Sequence, residues 1–214
     1  MWWHITAATV TSIPSEGGPT LDLLKNECAG RVYFPLCVPL PSSLSPALAM
    51  GLSCASMLKL HHWGVMSDVV YAMYASVSLN CSLRCLHVDY MGGAETAAET
   101  ESLLGSLCTA LMACGRFHTF HLDLRRSFND IEEPSPLAEI LNALLNNPRL
   151  RHLSLTIPRL DQRAAQLLSL FVPQCKRSLI ELRIKSGDAI PEPALHVVYT
   201  MLAKNAFLSR LMLR

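Results

Sequence analysis

A short pattern of apolar residues recurs six times along this chain of 214 residues. Each copy has one apolar residue, two variable residues, and then two apolar residues separated by one variable residue. The copies are Ala55/Leu58/Leu60, Leu83/Leu86/Val88, Phe117/Phe120/Leu122, Leu150/Leu153/Leu155, Leu179/Leu182/Ile184 and Leu208/Leu211/Leu213. Their first members lie 28, 34, 33, 29 and 29 residues apart. This period predicts a solenoid with one strand and one helix in each repeat.

The segment before each copy has the features of a helix that ends in a turn. The clearest example runs from Pro136 to Asn147, where leucine and isoleucine recur at helical spacing. Asn146 and Asn147 mark the helix end, and Pro148 cannot continue it. We therefore predict an α/β chain in which a packed helix leads into each strand.

These repeats resemble leucine-rich repeats, and among them the ribonuclease-inhibitor-like subfamily, whose longer repeats carry a full α-helix. The resemblance extends over residues 55–214 and implies a horseshoe with parallel β-strands on the concave face and α-helices on the convex face. The family usually has Asn or Cys three residues after the last apolar position. Only Cys37 fits here, because the later repeats carry Trp63, Met91, Arg125, Pro158 and Gly187. The chain therefore resembles a divergent member.

The two ends of the repeat array are less regular. Ala29/Val32/Phe34 and Trp2/Ile5 are weaker copies, so we expect residues 1–54 to be degraded repeats or an irregular cap. Residues 55–214 contain about five to six repeats, and the last ends on a strand without a helix after it. Because solenoids normally close such an edge, we expect a fragment or isoform of a longer protein, or an edge covered by a partner or a second copy.

The amino-acid composition limits the kinds of partner and the cellular location that we expect for this protein. Half of the residues are apolar and 16% are charged, which suits one elongated core. The net charge of +1 gives no reason to expect nucleic acid or an anionic membrane as a partner. Four prolines interrupt the nearly uncharged stretch from Val32 to Met57, and no signal peptide is visible, so we expect a cytoplasmic protein. The eight cysteines are then reduced, and their spacing predicts no zinc site.

The variable positions of each strand predict the binding surface, because alternate side chains point to opposite faces. One row contains Tyr33, Lys59, His87, His121, Ser154, Arg183 and Met212, and the next contains His61, Asp89, Asp123, Thr156, Lys185 and Arg214. We expect two histidines and two aspartates, His87, His121, Asp89 and Asp123, to form one patch, flanked by His61 and His118.

Two interpretations of this patch are open. Imidazoles and carboxylates could form a metal site or a pH-responsive site. Alternatively, each aspartate steadies a histidine on a solvated surface that binds a partner. We adopt the second interpretation and expect no bound metal and no cofactor. A basic patch of Arg183, Lys185, Arg210 and Arg214, with Arg151 nearby, suits an acidic partner or is simply a solvated face.

Sequence motifs give little support for catalysis. The chain has no phosphate-binding glycine loop, no Gly-x-Ser-x-Gly turn and no His-Glu-x-x-His helix, so we expect a protein that is not an enzyme. The family resemblance implies a protein-interaction module, such as a substrate-recognition or sensor part of a larger protein. The expected partner-binding residues are Tyr33, Lys59, His61, His87, Asp89, His121, Asp123, Arg183, Lys185 and Arg210, and Trp63 is a further anchor. The alternative that the resemblance implies is an activator of a small GTPase.

Overall fold

Strands and helices alternate through the chain. A computed structural model describes residues 3–4, 31–36, 55–62, 67–90, 97–124, 136–175 and 178–214. The strands in this part are β1 Trp3–His4, β2 Arg31–Leu36, β3 Met57–His62, β4 Cys85–Tyr90, β5 Thr119–Asp123, β6 His152–Ile157, β7 Glu181–Ser186 and β8 Arg210–Leu213. The helices in this part are α1 Ser67–Leu79, α2 Ala97–Ala113, α3 Pro136–Leu144, α4 Gln162–Gln174 and α5 Glu192–Lys204. None of these described helices combines the length and apolar character needed to cross a membrane.

All eight strands form one parallel sheet in the order of the sequence. The apolar positions of the repeat stand opposite one another in consecutive strands. One such row consists of Val32, Leu58, Leu86, Phe120, Leu153, Leu182 and Leu211. The predicted alternation of parallel strands and helices is therefore confirmed, and the weak copy around Val32 joins the same sheet in phase.

The first strand differs from the prediction in its register. The spacing of the weak copies placed Ile5 opposite Val32, whereas the structure places Trp3 there and His4 opposite Tyr33. A shift of two residues leaves the same side chains on the same face of a strand, so the apolar pattern alone did not distinguish the two registers. Ile5 itself and most of residues 1–54 lie outside the described residues, and the division at residue 54 stays a prediction.

The core lies between one face of the sheet and the helices. Leu86, Leu153 and Leu182 were predicted to be buried, and each is at most 1% exposed. They belong to one apolar cluster with helix residues such as Leu111 of α2 and Leu168 of α4. Consecutive helices of the described part also pack against each other. Because every helix covers the same face, the opposite face is left to the variable residues of the strands.

Polar side chains at three consecutive helix-to-strand junctions tie a strand–helix unit to the preceding one. The Asn80 amide Nδ2 donates to the carbonyl of Ala55 at 2.8 Å, and Asn147 Nδ2 donates to Phe117 O at 2.8 Å. At the intervening junction, Cys114 Sγ donates to the carbonyl of Asn80 at 3.3 Å. All three junction side chains are buried. The chain thus carries Asn or Cys before the strand, where it satisfies backbone groups that would otherwise be unpaired.

Candidate binding surface on the sheet

The face of the sheet opposite the helices carries three rows of mostly polar side chains, which we call the polar face. The row at the amino ends of strands β3 to β8 consists of Met57, Cys85, Thr119, His152, Glu181 and Arg210. The backbone pairs follow the two rows that the sequence predicted, with Tyr33 opposite Lys59 and Lys59 opposite His87 in the middle row, and His61 opposite Asp89 in the third row. In each row, a residue of one strand lies about 4.8 Å from the residue at the same position of the next strand.

Charged and imidazole groups of the middle and third rows meet around Asp89. The carboxylate of Asp89 accepts from His87 Nε2 at 2.7 Å and lies 3.2 Å from Lys59 Nζ. His121 stands beside His87, with 5.2 Å between the ring centroids. Asp123 pairs in register with Asp89, and the two aspartates are 8% and 9% exposed. The structure therefore brings together the four residues of the predicted patch and adds Lys59 to them.

The protonation of His121 follows from its surroundings. Burial lowers the pKa of this imidazole to about 4, and the positive potentials of His87, Arg183 and His152 add to the shift. His121 is therefore neutral at pH 7, with one nitrogen that accepts and one that donates. Among the described residues, no group of three or more His, Cys, Asp and Glu side chains is arranged to hold a metal ion. The side chains of this part of the polar face offer hydrogen bonds and charge pairing.

A second cluster centres on Glu181, which is 7% exposed. Its carboxylate accepts from Arg183 Nε at 2.6 Å and contacts His152 Nδ1 at 3.1 Å and Arg210 at 3.6 Å. The hydrogen bond from Arg183 lowers the pKa of the Glu181 carboxyl against the opposing effect of burial, and the contact with His152 lowers it further. Two members of the predicted basic patch, Arg183 and Arg210, are thus held by one ionised carboxylate.

Sequence reasoning missed Glu181 and His152. It considered only the row from Tyr33 to Met212 and the row from His61 to Arg214, although residues two positions earlier in each strand point to the same face. Extending the alternation by one step toward the amino end would have identified both residues. Arg210 was included because of its charge rather than its place in a row.

Several expected site residues are described only through their backbone or not at all. Tyr33 pairs with Lys59, and His61 pairs with Asp89, but the side chains of Tyr33 and His61 lie outside what the structure describes. Trp63 lies outside the described residues altogether. The backbone register is consistent with the rows that were predicted.

Two other predicted residues occupy a different place. His118 was expected to flank the patch, and Arg151 was placed beside the basic patch. Both precede their strands, and the Arg151 N–H donates to the carbonyl of His118 at 2.8 Å. His118 lines a cleft at the amino ends of the strands, together with Arg84 and Arg149. Both residues therefore belong to the edge of the sheet rather than to the polar face.

No protein-family model, curated protein or solved structure matches this chain. The case for a function therefore depends on the chain's own residues and their geometry.

Proposed function

We propose that this chain is a leucine-rich-repeat solenoid of the ribonuclease-inhibitor-like type and that its polar face binds a protein partner without catalysis. The repeat period of 28 to 34 residues and the aligned apolar rows in a parallel sheet support the first part. The second part rests on one observation, which is that the polar face carries paired, partly exposed charges along successive strands. Lys59, His87 and Arg183 keep 28%, 31% and 47% of their side chains exposed while held by carboxylates.

The dimensions of the sheet suit a protein ligand better than a small molecule. Eight parallel strands extend over about 34 Å, and five residues along a strand extend over about 17 Å, which gives an area of about 600 Å² before side-chain relief. One partner in a standard protein–protein interface buries about 800 Å². The polar face therefore supplies about three quarters of the area of such an interface before side-chain relief is added, whereas a small ligand needs a deeper enclosure.

Charge is distributed unevenly over the polar face. The carboxylates of Asp89 and Asp123 lie in the central strands, whereas Arg183 and Arg210 contact the carboxylate of Glu181 in β7 and β8, and Lys185 lies further along β7. Complementary potentials orient a partner and speed its association. We expect a partner with an acidic group opposite β7 and β8 and a donor opposite the central strands. The ion pairs already hold these side chains in place, which reduces the conformational entropy lost on binding.

The test compares charge changes on the two sides of the solenoid. Ser154→Arg with Lys185→Glu alters the middle of the polar face without breaking any described ion pair. Gln166→Arg with Lys204→Glu makes the same kinds of change on the exposed surfaces of α4 and α5. Quantitative affinity capture should show proteins retained by the original chain and by the helix variant but lost from the polar-face variant. Loss from the helix variant alone would overturn the proposal.

The original chain and its polar-face variant also test the alternative implied by the family resemblance, which is an activator of a small GTPase. Addition of the chain to a purified small GTPase should leave the rate of GTP hydrolysis unchanged. An accelerated rate that depends on the polar face would favour the GTPase activator instead.

A further inference from the structure

Three consecutive helix-to-strand junctions have the same arrangement of residues, and none of these residues belongs to the polar face. In each, a buried apolar residue stands between two polar residues, and most of the polar residues are basic. The three segments are Ser82-Leu83-Arg84, Arg116-Phe117-His118 and Arg149-Leu150-Arg151. The apolar residues are at most 1% exposed, so they anchor the junctions. The four arginines are exposed and His118 is half-buried.

Backbone hydrogen bonds hold these junctions side by side. The His118 N–H donates to the carbonyl of Arg84 at 2.8 Å, and the Arg151 N–H donates to the carbonyl of His118 at 2.8 Å. Neighbouring parallel chains lie about 4.8 Å apart, so the basic residues fall within a span of about 10 Å. Between them is a cleft of about 620 Å³ lined by Arg84, Arg116, His118 and Arg149. We call this site the basic cleft and include Arg151 at its border.

The basic cleft has an unbalanced positive charge. Within the described part of the chain, none of the four arginines forms an ion pair with a carboxylate. The pKa of His118 is lowered by burial and then by the charges of Arg151, Arg149 and Arg84. Corresponding junction positions elsewhere are neutral, namely Ser56, Ile180 and Ser209. The charge is therefore concentrated at three adjacent junctions.

We propose that the basic cleft binds a phosphorylated segment of a protein partner. A phosphorylated side chain carries about −1.5 to −2 charges at pH 7 and three acceptor oxygens. Guanidinium groups bind such oxygens through two parallel hydrogen bonds, which a lysine does not reproduce. The hydroxyl group of Ser82 on the cleft wall supplies a further donor. This site lies at the edge of the sheet and is independent of the polar face.

The form of the cleft favours a peptide over nucleic acid. Proteins that bind single-stranded nucleic acid combine a long basic groove with aromatic side chains on which bases stack. The basic cleft extends over only three junctions, and no Trp, Tyr or Phe side chain is among its described lining residues. The net charge of the chain is only +1, so no strong general field would attract a nucleic-acid backbone.

Fluorescence anisotropy of the full chain tests the proposal. The probe is a fluorescein-labelled library of ten-residue peptides with a fixed central phosphoserine, and the comparison probes are the same library with serine or glutamate and a labelled ten-nucleotide oligouridine. We expect the phosphoserine library to bind at least tenfold more tightly than each comparison probe. Arg116→Ala with Arg149→Ala should remove this difference, and Arg116→Lys with Arg149→Lys should only partly restore it. Both substituted residues are exposed, so the variants should melt at the temperature of the original chain.

A matched control and an NMR measurement locate the binding. Arg159→Ala removes an exposed arginine after the carboxyl end of β6, away from the basic cleft, and should leave phosphopeptide binding unchanged. Binding of the phosphoserine library in the basic cleft should raise the pKa of His118 in an NMR titration. Equal binding of phosphorylated and unphosphorylated libraries would overturn the proposal. So would tighter binding of oligouridine, or a loss caused by Arg159→Ala and not by the cleft variant.

Discussion

Replacing Asn147 by alanine should expose how strongly the junction side chains stabilise the solenoid. Asn147 is 3% exposed and makes two hydrogen bonds to the backbone. Its Nδ2 donates to the carbonyl of Phe117 at 2.8 Å, and its Oδ1 accepts from the Arg149 N–H at 3.0 Å. Truncation to alanine removes both bonds. It also removes the side-chain link between two adjacent strand–helix units.

The size of the expected loss of stability depends on which polar groups of the backbone lose their hydrogen-bond partner. A buried polar group without a partner costs about 1 to 3 kcal/mol. The carbonyl of Phe117 is deep in the junction and should incur such a cost, whereas the Arg149 N–H lies near an exposed residue and can recover a bond to water. We therefore expect a loss of about 2 to 4 kcal/mol in the free energy of unfolding.

The matched control is Asn205→Ala. Asn205 occupies the corresponding junction before β8, where its Oδ1 accepts from the N–H groups of Phe207 and Leu208 at 2.8 and 3.0 Å. Because this site is only partly buried, water can replace the lost bonds, and the loss should stay below about 1 kcal/mol.

Urea denaturation followed by circular dichroism measures both variants. With a slope of about 2 kcal/mol per molar, the loss for Asn147→Ala corresponds to a midpoint about 1 to 2 M lower, with an unchanged slope. Equal midpoint shifts for Asn147→Ala and Asn205→Ala would refute the argument from burial. A shift below about 0.3 M for Asn147→Ala would show that the junction bond adds little to stability.

Three further predictions follow from burial and protonation. Leu153→Ala should lower the free energy of unfolding by about 2 to 5 kcal/mol, whereas Leu170→Ala on the exposed surface of α4 should change it little in the same urea titration. The pKa of His121 is lowered from 6.5 to about 4, so the unfolded chain binds more protons between these values and stability should fall as the pH drops from 6.5 to 4. His121→Gln should flatten that dependence in melts across this range, and an unchanged slope would contradict the assignment. Burial raises the pKa of Cys108 to about 12, so native-state labelling read by mass spectrometry should modify exposed Cys81 well before Cys108, and equal rates would contradict the buried position.

The strand positions were predictable because burial of one face imposes a strict pattern on a repeat. Leu86, Leu153 and Leu182 had to be apolar because they pack against the helices, and their equivalent position in each copy of the pattern aligned them across the sheet. The approximate membership of the polar face followed from the same alternation. The register of β1 did not follow, because apolar residues at positions 3 and 5 of the sequence satisfy a two-residue alternation equally well.

The side-chain contacts on the polar face were less predictable from the sequence than the list of residues that belong to this face. Asp89 pairs with Lys59 across strands and with His87 along its own strand, a choice that depends on side-chain rotamers and on competition between neighbours. Glu181 was missed, although a buried carboxylate determines how Arg183 and Arg210 are held. His118 was assigned to the wrong surface, because its position before the strand follows junction geometry rather than strand alternation.

The amino-acid sequence by itself determined the repeat period, the alternation of strand and helix and the face of each strand that is buried, because these depend on local periodicity and on the removal of apolar surface from water. Tertiary structure alone decided which charged groups form pairs and how far burial lowers the pKa of His121. It also decided that basic residues from three junctions lie around one cleft. Such properties depend on distances between residues about 30 positions apart in the chain, which parallel pairing sets only when the sheet has formed.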